Sequence, residues 1–233
     1  MRRLGESLRD SMQKTIPIPP ALQEKLKAID HEVQILHFKW KFFSQLFTDP
    51  NRVKILNATA ASLFHSVEDS MLFDILLSIT RLTDPPKSFK QENLSFENLI
   101  QEIPDSSLRT EVVNLLSQIK KKTKDIRTWR DKKLSHNDLQ KALGSFSLPQ
   151  IQMKELTDTL EHIRGIMNAI HRHFSDTMVM YEMCVTSNDG NTLLFYLEYA
   201  LDVWEEDKLN NNMDRFHKLR KRRPTNKNKS QTG

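Results

Sequence analysis

The sequence predicts an all-α protein, a bundle of five to six helices, on the basis of three observations. Apolar residues recur at steps of three and four over several long stretches, which is the period of one face of an α-helix. Glycine is scarce, at 5 of 233 residues, and Val and Thr do not form the short clusters that are typical of strands. A hydrophobic content of 38%, with 12 Phe and 3 Trp, is enough for a packed core and excludes a disordered chain.

The first predicted helix runs from Ala21 to about Phe47. It follows an Ile-Pro-Ile-Pro-Pro run that cannot be helical. Asp49 and Pro50 end this helix and start the next one, since proline is favoured at the first helical position. The apolar stripe of the first helix consists of Leu22, Leu26, Ile29, Val33, Leu36, Trp40, Phe43 and Phe47.

The second predicted helix spans about residues 51–82 and ends before the prolines at 85 and 86. A polar loop follows to Asn93, and Ser95 is the predicted N-cap of a short helix that ends near Ile103. The apolar stripe of the second helix consists of Leu56, Ala60, Leu63, Val67, Met71, Ile75, Ile79 and Leu82.

Three further helices are predicted, over about residues 107–137, 152–180 and 193–204. The first of them has a lysine-rich middle, 120–124, which we interpret as a solvated face. The second has the most regular stripe in the chain, because its apolar residues repeat at three and four without interruption. A loop with Gly, Ser and Pro, residues 139–151, separates these two helices.

The predicted organisation is one helical domain, 21–204, between a polar, proline-rich lead (1–20) and a polar to basic tail (205–233). The net charge of +5 comes from the end of this tail, because residues 218–233 hold seven of the 35 Lys and Arg residues and no acidic residue. We expect disorder from 218 onward. The basic end either follows a phosphate backbone or is only a soluble terminus.

The predicted compartment is the cytoplasm. The single cysteine, Cys184, excludes an internal disulfide and a cysteine-based zinc site, and it fits a reducing environment. No apolar run approaches the roughly 20 residues that span a bilayer, so no membrane association is expected. Arginines near the N-terminus are not followed by an apolar stretch, so a secretory signal is not expected either.

The densest group of ionisable side chains lies at residues 129–138, near the predicted end of the third long helix. A guanidinium such as Arg130 can hold a phosphate, and an imidazole such as His136 can move a proton. On an ideal helix a six-residue step turns a side chain by about 120°. Either the Arg130 side chain wraps round, the helix kinks, or a second protomer supplies the missing half.

Residues 130–138 resemble the R-x(4–6)-H signature of HEPN-domain proteins. More narrowly, they resemble the R-[ND]-K-x-x-[AS]-H-x-D form of the AbiU-type abortive-infection branch. Residues 72–85 and 92–96 are similar to the "ARLxDp … nLSl" segment of the same branch. The matches together run from about residue 72 to 138, and the helix order over 21–180 is compatible with the family.

The resemblance implies a HEPN-like all-α bundle that dimerises and places two copies of the motif in one cleft. It also implies metal-independent RNA cleavage, without a cofactor, in phage defence, toxin activity or RNA processing. Arg130 would stabilise the scissile phosphate, and His136 would act as general acid or base on the ribose 2′-hydroxyl or the leaving oxygen. Asp131 would orient one of them. Attack by the 2′-hydroxyl leaves a cyclic phosphate.

The other motif positions are predicted to support the site or to contact RNA. Asp138 either has such a role or only caps the end of the helix. Arg81 and Asp84 either reach the cleft or tie the 84–94 loop to the bundle, and we favour the structural role for this pair. The supporting or RNA-contacting residues are Lys132, Lys133, Ser135, Asp138, Arg81 and Asp84.

We therefore predict a metal-independent endoribonuclease that acts on RNA as a homodimer, in phage defence or a toxin-type system. An antitoxin or another protein of the defence system is a further expected partner. The alternative is a catalytically inactive HEPN module that binds RNA or a protein. A third hypothesis is a helical interaction protein in which the motif only pins the bundle.

Two other groups of residues favour ordinary structural roles. His162, His171 and His173 lack the spacing of a metal site on facing helices, and we expect the segment 171–173 on a solvated helix face. The aromatic residues of the first helix are expected in the core or in a dimer interface rather than as a base-stacking surface. These are Phe38, Trp40, Phe42, Phe43 and Phe47.

Overall fold

The computed structural model describes residues 16–88, 90–134 and 147–221, and over these ranges the protein is a bundle of α-helices. The all-α prediction is confirmed. A π-helical turn, Arg130–Leu134, follows the fifth helix directly. The helices are α1 Pro20–Phe47, α2 Pro50–Leu82, α3 Phe96–Gln101, α4 Ser106–Lys122, α5 Lys124–Trp129, α6 Met153–Ser175, α7 Gly190–Leu209 and α8 Asp214–Lys221.

The hydrophobic core lies between α1, the C-terminal half of α2, α3, α4 and α6. α1 packs mainly against α2, and α4 packs mainly against α6. The largest fully buried side chains of the core include Phe43, Phe96 and Phe174. The Asp49 carboxylate accepts a hydrogen bond from the Asn51 backbone N–H at 2.8 Å, so the tight connection between α1 and α2 is capped.

The stripe predicted along α2 is wrong in its middle. Ala60 has non-helical backbone angles, with φ −155° and ψ 64°, and the helix kinks there. The kink changes the direction of the helix, so the apolar positions on its two sides no longer face one surface. Leu63 is therefore 60% exposed, while Leu56 packs in a second small cluster with Leu194 of α7.

The polar loop predicted after α2 contains a short hairpin. Strand β1, Lys87–Ser88, pairs antiparallel with β2, Gln91–Glu92. The side-chain amide of Asn93 donates through Nδ2 to the Pro85 carbonyl at 2.8 Å and to Ser88 Oγ at 2.7 Å. These bonds close the hairpin onto the end of α2. Ser95 then caps α3 as predicted, because its side chain accepts from the Asn98 N–H.

The third long helix, predicted over 107–137, is divided in the structure. α4 ends at Lys122, Thr123 has φ −92° and ψ 14°, and α5 begins at Lys124. Apolar spacing gave no sign of this break, because Ile126 follows Ile119 by seven residues, in the phase that an unbroken helix keeps. The chain then changes from α- to π-helical geometry at Arg130.

The lysine-rich segment 120–124 is exposed at Lys121, Lys122 and Lys124, as expected for a solvated face, but not at every position. Thr123 is fully buried. Lys120 pairs with Glu97 of α3, and Lys122 pairs with Asp158 of α6 at 3.0 Å. Two of these lysines therefore tie α4 to its neighbours.

The last two long helices differ from prediction at their ends. α6 stops at Ser175, short of residue 180, because Asp176 takes left-handed angles, φ 49° and ψ 36°. The Asn168 side chain fixes the departing chain, since it bonds both the N–H and the carbonyl of Val179, at 2.8 and 3.0 Å. α7 continues to Leu209, beyond the predicted end at 204, and α8 follows in the segment predicted as tail.

A buried polar cluster joins α1, α6 and the segment between α6 and α7. The Tyr181 hydroxyl donates to Asp30, and His171 Nε2 lies 3.4 Å from the same carboxylate. The His37 ring stacks on Tyr181 with 5.7 Å between centroids. Burial, helped by the hydrogen bond to Asp30, raises the pKa of Tyr181, so this residue remains a neutral donor. The prediction of a solvated face was therefore wrong for His171, whose side chain is only 16% exposed.

Within the described residues, none of the helices combines the length and the apolar character needed to cross a membrane.

Candidate active site at the end of α2 and the π turn

Two arginines from successive helical turns converge on one carboxylate. Arg127 Nη1 donates to Asp84 Oδ1 at 3.0 Å, and Arg130 Nη1 donates to the same oxygen at 2.6 Å. The arginines are three residues apart and thus share a helix face. Asp84 lies just beyond the end of α2, so this carboxylate joins α2 to α5 and the π turn.

Arg127 also fixes the backbone at the end of α2. Its Nη2 donates to the Thr83 carbonyl at 2.6 Å and to Thr83 Oγ1 at 2.8 Å. Thr83 is completely buried, so these bonds reach into the core. Sequence reasoning missed Arg127, although its three-residue distance from Arg130 was a signal that the two share one side of the helix.

Arg130 is held by carboxylates on two sides. Its Nε donates to Asp131 Oδ1 at 2.8 Å, in addition to the bond from Nη1 to Asp84. Burial opposes the charge, but the hydrogen bond to Asp131 and the charge of Asp84 outweigh it and raise the pKa of Arg130. A guanidinium carries five N–H donors. The bonds to Asp131 and Asp84 use Nε and Nη1, and among the described residues the Nη2 group has no hydrogen-bond partner.

The positive charge of Arg127, next to Asp84, also affects Lys120 of α4. Burial and the neighbouring charge of Arg127 both lower the pKa of Lys120, while Asp84 opposes this change.

Arg81 is exposed and lines a cavity of about 330 Å³ together with Asp84, Glu92 and Asn93. The backbone carbonyl of Arg81 accepts a hydrogen bond from the Asp84 N–H at 3.3 Å.

A pair of aromatic rings lies beside Arg130. Phe73 of α2 and Trp129 of α5 have ring centroids 6.0 Å apart. Lys133 places its Nζ 4.2 Å from the centroid of Phe73 and 5.1 Å from that of Trp129, which are cation–π distances. The Trp129 indole donates to the Pro149 carbonyl at 2.7 Å, which fixes the ring. Lys132 is half-buried in the same turn.

Three of the predicted site residues, Ser135, His136 and Asp138, lie outside the described residues. The chain that leads towards them starts with the π-helical turn at Arg130. The step of about 100° per residue for an ideal α-helix therefore does not describe the path away from Arg130. Single π turns inside helices occur frequently at functional sites.

Two of the histidine and acidic side chains that could suggest a metal site have other partners. Glu182 pairs with Arg164 at 2.8 Å, and His171 faces Asp30. Over residues 16–88, 90–134 and 147–221, no three His, Cys, Asp or Glu side chains form a group that could hold a metal ion.

The segments that suggested the resemblance meet in this site, because Asp84 belongs to the upstream segment and Arg130 to the downstream one. The family model HEPN_AbiU2, described as AbiU2, matches residues 19–193, which is more than half of the chain. The chain belongs to the HEPN AbiU2 family. As a member of the family, it contains a HEPN domain related to abortive infection. Neither a curated protein nor a solved structure matches the chain.

The AbiU2 match includes α1 to α6 and thus every element that contributes to the Asp84 cluster, which we define as Asp84, Arg127, Arg130 and Asp131. It ends within the first turn of α7. The cluster therefore belongs to the part of the chain that the AbiU2 family shares.

Proposed function

We propose that this HEPN AbiU2 protein is a cytoplasmic, metal-independent endoribonuclease that acts as a homodimer in phage defence or a toxin-type system. The observation that carries the proposal is the state of Arg130. This residue is charged, is oriented by Asp84 and Asp131, and keeps donors that no described residue uses. Such a guanidinium suits a phosphodiester whose negative charge grows during reaction.

In the proposed reaction, the ribose 2′-hydroxyl of the RNA attacks the adjacent phosphorus. The bond from phosphorus to the 5′-oxygen of the next nucleotide breaks, which leaves a 2′,3′-cyclic phosphate and a 5′-hydroxyl. Arg130 stabilises the charge on the phosphate oxygens. His136, for which the family motif supplies the role, takes the proton from the attacking hydroxyl or gives one to the leaving oxygen.

Asp131 and Asp84 act as positioning residues in this proposal, because each contacts Arg130 and neither needs to touch the RNA. Arg81 and the lysines of the π turn supply positive charge for the RNA backbone on either side of Arg130. Ser135 and Asp138 complete the motif. The proposed supporting residues are Lys132, Lys133, Ser135, Asp138, Arg81 and Asp84.

The proposed homodimer is supported by the surface of α7. Phe195, Tyr196 and Tyr199 are each more than 60% exposed, and their spacing places them close together on one side of the helix. Contiguous exposed apolar surfaces mark protein interfaces. Two bundles that pair through such a surface would carry two copies of the motif. An antitoxin or other defence protein is a further proposed partner.

A binding module without catalysis is the second candidate. It is favoured by Arg130 and Lys133, which offer positive charge for RNA phosphates whether or not His136 transfers a proton. Such a module would retain RNA and leave it intact.

The test is to incubate the purified protein with total cellular RNA in EDTA, next to the variants Arg130→Ala and His136→Ala. We expect discrete fragments from the wild type and a loss of at least 100-fold in both variants, in line with the usual contributions of such groups. Arg164→Ala is the matched control, because Arg164 has a similar exposure and an ion pair at 2.8 Å, outside the Asp84 cluster.

Cleavage by the wild type and the control only would support the enzyme. RNA retention by the wild type, with no cleavage by any of the four proteins, would support the binding module. Equal cleavage by all four would contradict both roles assigned to the motif.

A further inference from the structure

The two rings beside Arg130 are covered by a cation instead of by the core. Phe73 and Trp129 are both half-buried, and the ammonium group of Lys133 lies over them. Only Trp129 packs partly against the main core cluster. If the rings served the core alone, apolar side chains would be expected over them. A charged and long side chain covers them instead, and it can leave at little cost.

The position of this ring pair relates it to the proposed chemistry. Trp129 directly precedes Arg130, and Lys133 follows one turn later. The two half-buried rings are tilted by 40° to each other and lie within one helical turn of the arginine that we propose to bind phosphate, so their exposed faces offer a base a surface to stack on. The orientation of the Trp129 ring is stable, because the indole is bonded to the Pro149 carbonyl at 2.7 Å.

We propose that Phe73 and Trp129 stack a nucleobase of single-stranded RNA next to the phosphate at Arg130, and that Lys133 moves from the rings to the RNA backbone when the base arrives. The inference rests on the proposed action on RNA and specifies the form of RNA that is bound. A base can reach the rings only when it is unpaired and unstacked, so duplex RNA is excluded. Stacking accepts every base, so this site selects single strands and does not select a sequence.

The exchange conserves favourable contacts. The Lys133 ammonium loses its cation–π contact and gains a phosphate oxygen, while the rings exchange a cation for a π-surface. The positive charge of the π turn then lies along the RNA strand together with that of Arg130.

The test uses a 2′-O-methyl oligonucleotide, which cannot undergo attack by its own 2′-hydroxyl and therefore reports binding without cleavage. Stacking on an indole quenches its fluorescence, so titration with this strand should reduce the tryptophan emission in a saturable way. The variant Trp129→Phe assigns the signal, since two other tryptophans are present. An abasic strand of the same length carries the same phosphates and should not quench.

Phe73→Leu should bind the oligonucleotide about tenfold more weakly, within the usual range for loss of one base–aromatic stack. Phe38→Leu is the matched control, because Phe38 is also half-buried and in contact with a second ring, Phe42 of the same helix. This control should bind like the wild type. If Phe73→Leu does not fold, the comparison of the normal and abasic strands on the wild-type protein decides alone.

Equal quenching by the abasic strand, or unchanged binding by Phe73→Leu, would overturn the proposal. So would equal affinity for a free nucleoside monophosphate, because the site would then not be specific to an RNA strand. Cleavage of RNA in EDTA without base-dependent quenching would leave the proposed function standing and reject the stacking site. Base-dependent quenching without cleavage of RNA would support the stacking site and reject the proposed nuclease function.

Discussion

At the scale of single residues, the proposed function depends on how Arg130 keeps its charge and its orientation. Asp131 engages one edge of the guanidinium and Asp84 engages the other, at 2.8 and 2.6 Å. A side chain held in this way loses little freedom when it meets a phosphate, which favours binding to a developing charge. The same two contacts leave donors of Arg130 for the substrate.

The contact between Asp84 and Arg130 could not be predicted from the sequence, although both residues were predicted from the family resemblance. The two lie 46 residues apart in the chain. Their meeting depends on the break at Thr123 and on Arg127, which anchors α5 to Thr83. Neither the break nor the anchor leaves a trace in the apolar spacing, because both concern polar groups at helix ends.

A residue-scale prediction concerns His37, which is 4% exposed and has an Nε2 without a hydrogen-bond partner among the described residues. Burial, helped by the charge of Arg164 and opposed by Glu182, lowers its pKa from 6.5 to about 4. The unfolded chain therefore takes up a proton at a higher pH than the folded protein does. The resulting stability is complete above pH 6.5 and is lost as the pH falls towards 4.

We expect the free energy of unfolding to decrease by about 2 kcal/mol between pH 7.5 and pH 5 from this residue. Urea denaturation at the two pH values measures the decrease. His37→Gln should reduce the pH dependence by that amount, whereas His31→Gln, at an exposed position on the same helix, should not. The same pH dependence in wild type and His37→Gln would show that His37 is not buried in its neutral form.

At the scale of elements, helices with uninterrupted apolar stripes could be predicted, and helix ends set by polar contacts could not. α1 follows its stripe from Leu22 to Phe43 because those residues enter one core. α6 has an equally regular stripe, but its end is decided by Asp176 and by the bonds of Asn168 to Val179. The kink at Ala60 has no sequence cue of the kind that Pro or Gly provides.

The Asp84 cluster makes an element-scale prediction, since it joins α2 to α5 and the π turn. Asp84→Asn removes the charge that Arg127 and Arg130 share. We expect the free energy of unfolding to fall by about 1–2 kcal/mol, a partly buried pair being worth less than a fully buried one. The rate of RNA cleavage should fall even under conditions where the variant is fully folded, because Arg130 loses its orientation.

Asp74→Asn is the control for this change, because Asp74 forms an ion pair with Lys39 at 2.8 Å and is 50% exposed. This variant should lower the free energy of unfolding by less than about 1 kcal/mol and leave the rate of RNA cleavage unchanged. The two variants are compared by urea denaturation and by the rate of RNA cleavage. Wild-type cleavage by Asp84→Asn would show that Asp84 does not position Arg130.

At the scale of the whole molecule, the proposed dimer is expected to use the exposed aromatic surface of α7. The double variant Phe195→Lys/Tyr199→Lys should be a monomer in light scattering, since two charges would have to be buried in the interface. Cleavage should decrease with the dimer if two motifs are needed in one cleft. The change should leave the bundle folded, because both side chains are exposed.

Leu209→Lys serves as the control, since Leu209 is 84% exposed at the opposite end of the same helix. We expect this variant to remain a dimer. A double variant that stays dimeric would place the interface elsewhere, and a wild-type protein that is monomeric at working concentrations would contradict the proposed homodimer.

In the proposed reaction, Arg130 stabilises the phosphate of the RNA while the adjacent 2′-hydroxyl attacks it. The most direct test of this reaction is the mass of the new 3′ end after the protein has cut a defined single-stranded RNA in EDTA. We predict a 2′,3′-cyclic phosphate with the wild type and with Arg164→Ala, and no cut with Arg130→Ala. A linear 3′-phosphate or 3′-hydroxyl formed directly would contradict the proposed reaction, and so would the cyclic product from Arg130→Ala at the wild-type rate.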